Sequence, residues 1–149
     1  MEKYKWSLLT PLQIGKYAEF LVKMKFTLHG FDVYSAEIDD KGIDMIARKD
    51  DRTYYDIQIK SSRSLNYIFF SKSKFDIRDN LMAAIVLFFD DEEPHFYLIP
   101  SIAWTNGNAL LVSRDYEGKK SEPEWGINLS NKNLHLLSEF EFEKILHTM

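Results

Sequence analysis

The chain has 149 residues, 45% of them hydrophobic, and a formal net charge of −4, which suits one domain over residues 1–149 with a full core. It has no cysteine, so disulfides, zinc–thiolate sites and thiol nucleophiles are excluded, and a reducing cytoplasm is the expected compartment. The acidic balance argues against indiscriminate nucleic-acid binding, which asks for a basic stripe, although acids gathered around a cation also count toward it.

In chain order, Lys3 and Lys5 lead into no long apolar stretch, so no cleavable leader is expected. Trp6, Leu8 and Leu9 are candidates to anchor the start of the chain on the fold or on a second subunit. Thr10, Pro11 and Gln13 form a capping-box pattern that starts a helix, and Gly30 is its expected stop. On that helix Gly15, Glu19, Val22 and Phe26 share a stripe at helical spacing, with Glu19 either a site residue or the ion-pair partner of Lys23. Phe31 to Ile38 reads as a first strand, with Glu37 at its end as an exposed residue or, alternatively, a further site carboxylate, and Asp39-Asp40-Lys41-Gly42 as a turn.

Ile43 to Ala47 is apolar except for Asp44, an acid that needs compensation in a strand. After a turn at Lys49-Asp50-Asp51-Arg52, Tyr54 to Ser61 alternates: Tyr55, Ile57 and Ile59 face one way, and Asp56, Gln58 and Lys60 the other. Pairing the two strands as a hairpin gathers a carboxylate, an amide and an ammonium. Asp56 is expected at the surface, with support of the groups beside it on that face as the alternative. Tyr67 to Phe70 reads as a short strand and Ser73 to Asn80 as a short serine-capped helix.

Met82 to Phe89 is the longest apolar run, read as a strand buried on both faces and far below the ~20 residues that span a bilayer. His95 to Ile99 returns after an acidic turn, and Pro100 and Ser101 open a short helical or turn segment through Trp104. Ala109 to Ser113 is a further strand, Tyr116 to Pro123 a charged loop, Trp125 to Leu129 an edge strand, and Leu134 to Leu146 a closing amphipathic helix. The four histidines show no metal-ligand spacing.

A carboxylate beside a lysine suits metal-dependent attack on a phosphodiester. Asp44, followed on the next strand by Gln58, Ile59 and Lys60, resembles the pattern of the PD-(D/E)XK nuclease superfamily: Asp, then Glu or Gln, any residue, and Lys. With Glu19 on the preceding helix and the segments FYLIPSIAW and PEWGINLS beyond, the order is similar to a branch of small restriction-endonuclease-like proteins that includes intron-associated homing endonucleases. The resemblance implies an α/β restriction-endonuclease-like core, a mixed central sheet flanked by helices. It further implies a divalent-metal-dependent DNA endonuclease using Mg2+ or Mn2+. Asp44, Gln58 and the Ile59 carbonyl would hold the cation, Lys60 would position the nucleophile, and Glu19 would assist directly or through water. Gln58 stands where Glu is commoner and removes one negative charge from the site.

Arg63, Lys72, Lys74 and Arg78 are candidates for DNA phosphates, with solvated surface charge as the alternative. A duplex has two strands, which suits a homodimer. The rival readings are a catalytically inactive nucleic-acid- or protein-binding module on the same fold, and an ordinary core in which Asp44 and Lys60 form an ion pair.

Overall fold

The computed structural model describes residues 3–38 and 40–149; Asp39, part of the expected turn, lies outside them. Helix α1 (Pro11–Leu28) begins at the capping box: the Gln13 amide N–H donates to Thr10 Oγ1 (3.1 Å) and the Thr10 N–H to Gln13 Oε1 (2.9 Å). It ends at His29, after which Gly30 takes the left-handed conformation, φ +87°. The buried stripe is Ile14, Ala18, Val22 and Phe26. Gly15 and Glu19 lie half-buried beside it, and nothing approaches Gly15 closely enough to require a glycine.

Eight strands follow among the described residues: β1 (Asp32–Ser35), β2 (Met45–Arg48), β3 (Tyr54–Ser62), β4 (Tyr67–Ser71), β5 (Leu81–Leu87), β6 (His95–Pro100), β7 (Leu111–Arg114) and β8 (Glu124–Asn128). The main sheet has the order β1-β2-β3-β5-β6. It is mixed because β3 and β5 run parallel while the other neighbours are antiparallel. The β2–β3 hairpin pairs Arg48 with Tyr54 around the expected turn. There the N–H groups of Arg52 and Thr53 donate to Asp50 (2.9 Å each), and these bonds, the Arg52 one foremost, hold its carboxyl below the usual range.

β5 divides the core. Met82, Ala84 and Val86 pack with Phe88 and the stripe of α1, whereas Leu81, Ala83, Ile85 and Leu87 pack on the other side. The first face is closed by α1 and by α3 (Phe142–Leu146), whose Phe142 ring lies 5.0 Å from Phe26. The second is closed by α2 (Leu134–Leu137), the 3-10 helix Ser101–Asn106 with Trp104, and a small sheet of order β4-β8-β7. This is the expected α/β core with a mixed central sheet and helical flanks. Among the described residues no helix is long and apolar enough to cross a membrane.

Four local expectations are corrected. Ser73–Asn80 is not a helix: only a 3-10 turn, Lys72–Lys74, forms. The chain then runs irregularly because Phe75 stacks on Phe70 (4.5 Å) and Arg78 is drawn to Asp56 (2.6 Å), contacts that override local propensity. Asp56 is correspondingly buried, 9% exposed. Trp125–Leu129 is not an edge, since β8 is the middle strand of the small sheet. The closing helix is broken into α2, a 3-10 turn (Ser138–Phe140) and α3, where Glu141 turns extended (ψ 138°) to bridge Tyr97 of β6.

Candidate metal centre on the β2–β3 hairpin

β2 stops one residue short of the site. Past Met45, which pairs with Ile57, Asp44 still donates its N–H to the Ile57 carbonyl (2.9 Å) and accepts from Ala36 N–H (3.2 Å). The next donor along β3, the Ile59 N–H, goes to Asp44 Oδ2 at 2.7 Å. A carboxylate thus takes over from a backbone carbonyl as the ladder partner, in a charge-assisted hydrogen bond. The N–H and C=O of one strand residue point to the same side, so the Ile59 carbonyl opens beside that carboxylate.

Gln58 and Lys60 leave β3 by the face opposite Ile57 and Ile59, which pack in the cluster containing α1. Across the parallel pair Gln58 stands beside Ala83 and Lys60 beside Ile85. Gln58 Oε1 is buried and has no hydrogen-bond partner among the described residues. An orphaned amide oxygen costs about 1–3 kcal/mol unless something is bound to it. The other end of the amide is held by shape. Gly42, at φ +78°, lets the chain pass so close that an added Cβ would fall 2.9 Å from the Lys74 carbonyl oxygen and 3.3 Å from Gln58 Nε2. A side chain there would be strained and would push on Gln58. The half-buried Lys60 places its Nζ 5.7 Å from the Phe70 ring centroid.

Asp44, a main-chain carbonyl and an unpartnered amide oxygen form an all-oxygen donor set, which fits a hard divalent cation. Among the described residues no group of three or more His, Cys, Asp or Glu is placed to hold a metal. The set therefore depends on the Gln58 amide and the Ile59 backbone.

The remaining candidates are spread more widely. Glu19 is paired with Lys16 at 3.1 Å, not with Lys23, whose Nζ lies 5.9 Å from the Phe20 ring centroid. Glu37 is exposed. Arg63 donates to the carbonyls of Trp6 and Leu9, tying down the start of the chain. Lys72 binds Ser113 and Asp115 (2.6 Å each) and sits 4.0 Å from the Trp125 ring centroid. Arg78 binds Asp56 and the Asp76 carbonyl. Lys74 and Arg78, with Asp40, Lys41, Ile43, Ser73 and Asp76, line a cleft of ≈ 350 Å³ that opens beside the Gly42–Lys74 contact.

Two features escaped the reading of the sequence. Gly42 had a visible signal, a glycine directly before the strand carrying Asp44, but the Lys74 contact that makes it necessary is long-range. The Asp56–Arg78 pair also had one, because Asp56 shares the inward face of Gln58 and Lys60.

No family model matches the chain, and no curated protein matches it. Among solved structures it is similar to Hjc of Archaeoglobus fulgidus, a Holliday junction resolvase from an archaeal hyperthermophile. The TM-score is 0.56 at 15% identity, over 90% of this chain and 96% of that one. A bacterial homing endonuclease, I-Ssp6803I, gives a TM-score of 0.48 at 16% identity, over 95% of this chain and 99% of that one. The likeness to the resolvase is one of fold, and it agrees with the restriction-endonuclease-like core expected from the sequence.

Proposed function

We propose that residues 1–149 act as one divalent-metal-dependent endonuclease domain that hydrolyses DNA phosphodiester bonds in the cytoplasm. The observation that carries this reading is the buried, unpartnered Gln58 Oε1 on the strand whose Ile59 N–H is held by Asp44. Asp44, Gln58 and the Ile59 carbonyl hold Mg2+ or Mn2+. When bound, such a cation polarises the phosphate and makes water nucleophilic near neutral pH.

The chain's own groups do the rest. Lys60 brings its ammonium to the charge on the phosphate and the attacking oxygen, and a lysine suits that role as a compact point charge. Glu19, fixed by Lys16, orders water from the α1 side. Lys74 and Arg78 on the cleft, with Arg63 and Lys72 further out, contribute a cationic field for the backbone of the strand. Cutting both strands of a duplex takes two copies, as in a homodimer. The resolvase of similar fold is named for acting on Holliday junctions, which are DNA, and DNA is the substrate class assigned here.

Supercoiled plasmid, incubated with Mg2+ or Mn2+ and separately with chelator, tests the reading. Wild type nicks it only with metal, and Asp44→Asn and Lys60→Ala lose at least ~100-fold in rate, as loss of a charge-stabilising group does. Equal nicking by wild type and both variants would overturn it. The neutral amide at Gln58 favours a second reading, a catalytically silent binding module on this fold. Wild type inert at every metal concentration, while retaining duplex in a shift assay, would select that module.

A further inference from the structure

The outward face of α1 carries large apolar side chains that nothing among the described residues covers. Leu12 is 82% exposed, Phe20 54%, Met24 60% and Leu28 82%, with Tyr17 alongside at 39%. Leu12, Phe20, Met24 and Leu28 fall on one i, i+4 row, about 24 Å long at 1.5 Å per residue, and such a row is the ridge that packs helix on helix. Leu12, Gln13, Lys16, Tyr17 and Phe20 surround an apolar groove of ≈ 440 Å³, larger than any one of these side chains. Tyr17 forms a firm wall to it, with its ring 5.6 Å from that of buried Trp6.

We propose that this ridge is the contact between two copies of the chain, packed through α1 about a two-fold axis at Phe20. The row can pack antiparallel on the same row of a second copy. A two-fold axis at Phe20 sets Leu12 against the second copy's Leu28, Lys16 against its Met24, and Phe20 against itself. Met24 of one copy then enters the groove beside Lys16 of the other, a knob in a hole. Lys16 lays its stem on apolar surface while its ammonium stays with Glu19, so no unpaired charge is enclosed. At these exposures the five side chains offer on the order of 600 Å² per copy, taking ~200 Å² for each. A standard interface covers about 800 Å² per partner, and the polar flanks supply the remainder. A second copy is the occupant because this one row supplies most of the area that a stable dimer needs and its charged member, Lys16, is already paired with Glu19. The inference gives the homodimer of the proposed function its surface and in that sense rests on that reading, but its test is separate, since neither metal nor DNA enters it.

The full chain in analytical ultracentrifugation, without metal or DNA, tests it. Wild type sediments at twice the chain mass. Phe20→Glu and, as a second variant, Met24→Glu sediment at the single-chain mass with unchanged circular dichroism. Because the chain has no cysteine, Phe20→Cys provides a symmetric probe. Helix axes 8–10 Å apart leave facing Cα atoms about 3.5–5.5 Å apart, overlapping the disulfide range. Under mild oxidant Phe20→Cys closes to a covalent dimer, and Phe69→Cys, of similar exposure at 52%, does not. Wild type at single-chain mass at every concentration, or equal cross-linking of the two cysteine variants, would overturn the proposal.

Discussion

β3 and β5 lie side by side and parallel in the middle of the same sheet, yet they are filled by opposite rules. Every residue of β5 is at most 2% exposed and apolar, which is how a strand covered on both faces is normally built. β3 has the same cover of α1 on one face, answered by Tyr55, Ile57 and Ile59. On the other it sets Asp56, Gln58 and Lys60 directly beside Leu81, Ala83 and Ile85. Asp56 is neutralised by Arg78 at 2.6 Å, and Lys60 lies over an aromatic ring. Gln58 Oε1 has no hydrogen-bond partner among the described residues. β5 shows that this sheet can be filled with hydrocarbon. The polar triplet on β3 departs from that solution, and such local conflicts gather at functional sites.

Ile85→Ala and Gln58→Leu, on opposite sides of that pair, separate the two rules. Ile85 is fully buried, so Ile85→Ala should cost about 2–5 kcal/mol in urea denaturation, as large-to-small core changes do. Mn2+ affinity of the folded fraction should remain unchanged. Gln58→Leu should act in the reverse sense and more weakly. In chelator, stability should equal wild type or exceed it by up to ~2 kcal/mol, because an unsatisfied buried oxygen is removed, while Mn2+ binding falls. A clear loss of stability in Gln58→Leu would mean that β3 is polar for the sake of the fold, and the contrast with β5 would vanish.

What could be read from the sequence was local. The Thr10 capping box, the Lys49–Arg52 turn and the alternation of β3 each lie within a few residues, and the Met82–Phe89 run declared a doubly covered strand by composition. The elements that eluded the sequence were decided by distant partners. Ser73–Asn80 has a helical cap, yet Phe75 is taken by Phe70 and Trp104 and Arg78 by Asp56. Leu134–Leu146 has helical spacing, yet Glu141 is drawn into a bridge with Tyr97. The small sheet joins β4 to β8, more than fifty positions later, and no short-range pattern announces such a pairing. The site divides in the same way. Strand alternation placed Gln58 and Lys60 on one face, whereas the Gly42–Lys74 contact that holds the amide appears only in three dimensions.

The claim that Asp44 and its β3 neighbours form a cation site is tested most directly by calorimetric titration of Mn2+ into wild type and Asp44→Asn, without DNA. The account predicts one binding event per wild-type chain and none over the same range for Asp44→Asn, which keeps an oxygen for the Ile59 N–H but loses the charge that a hard cation requires. Equal Mn2+ affinity and stoichiometry in the two proteins would contradict it.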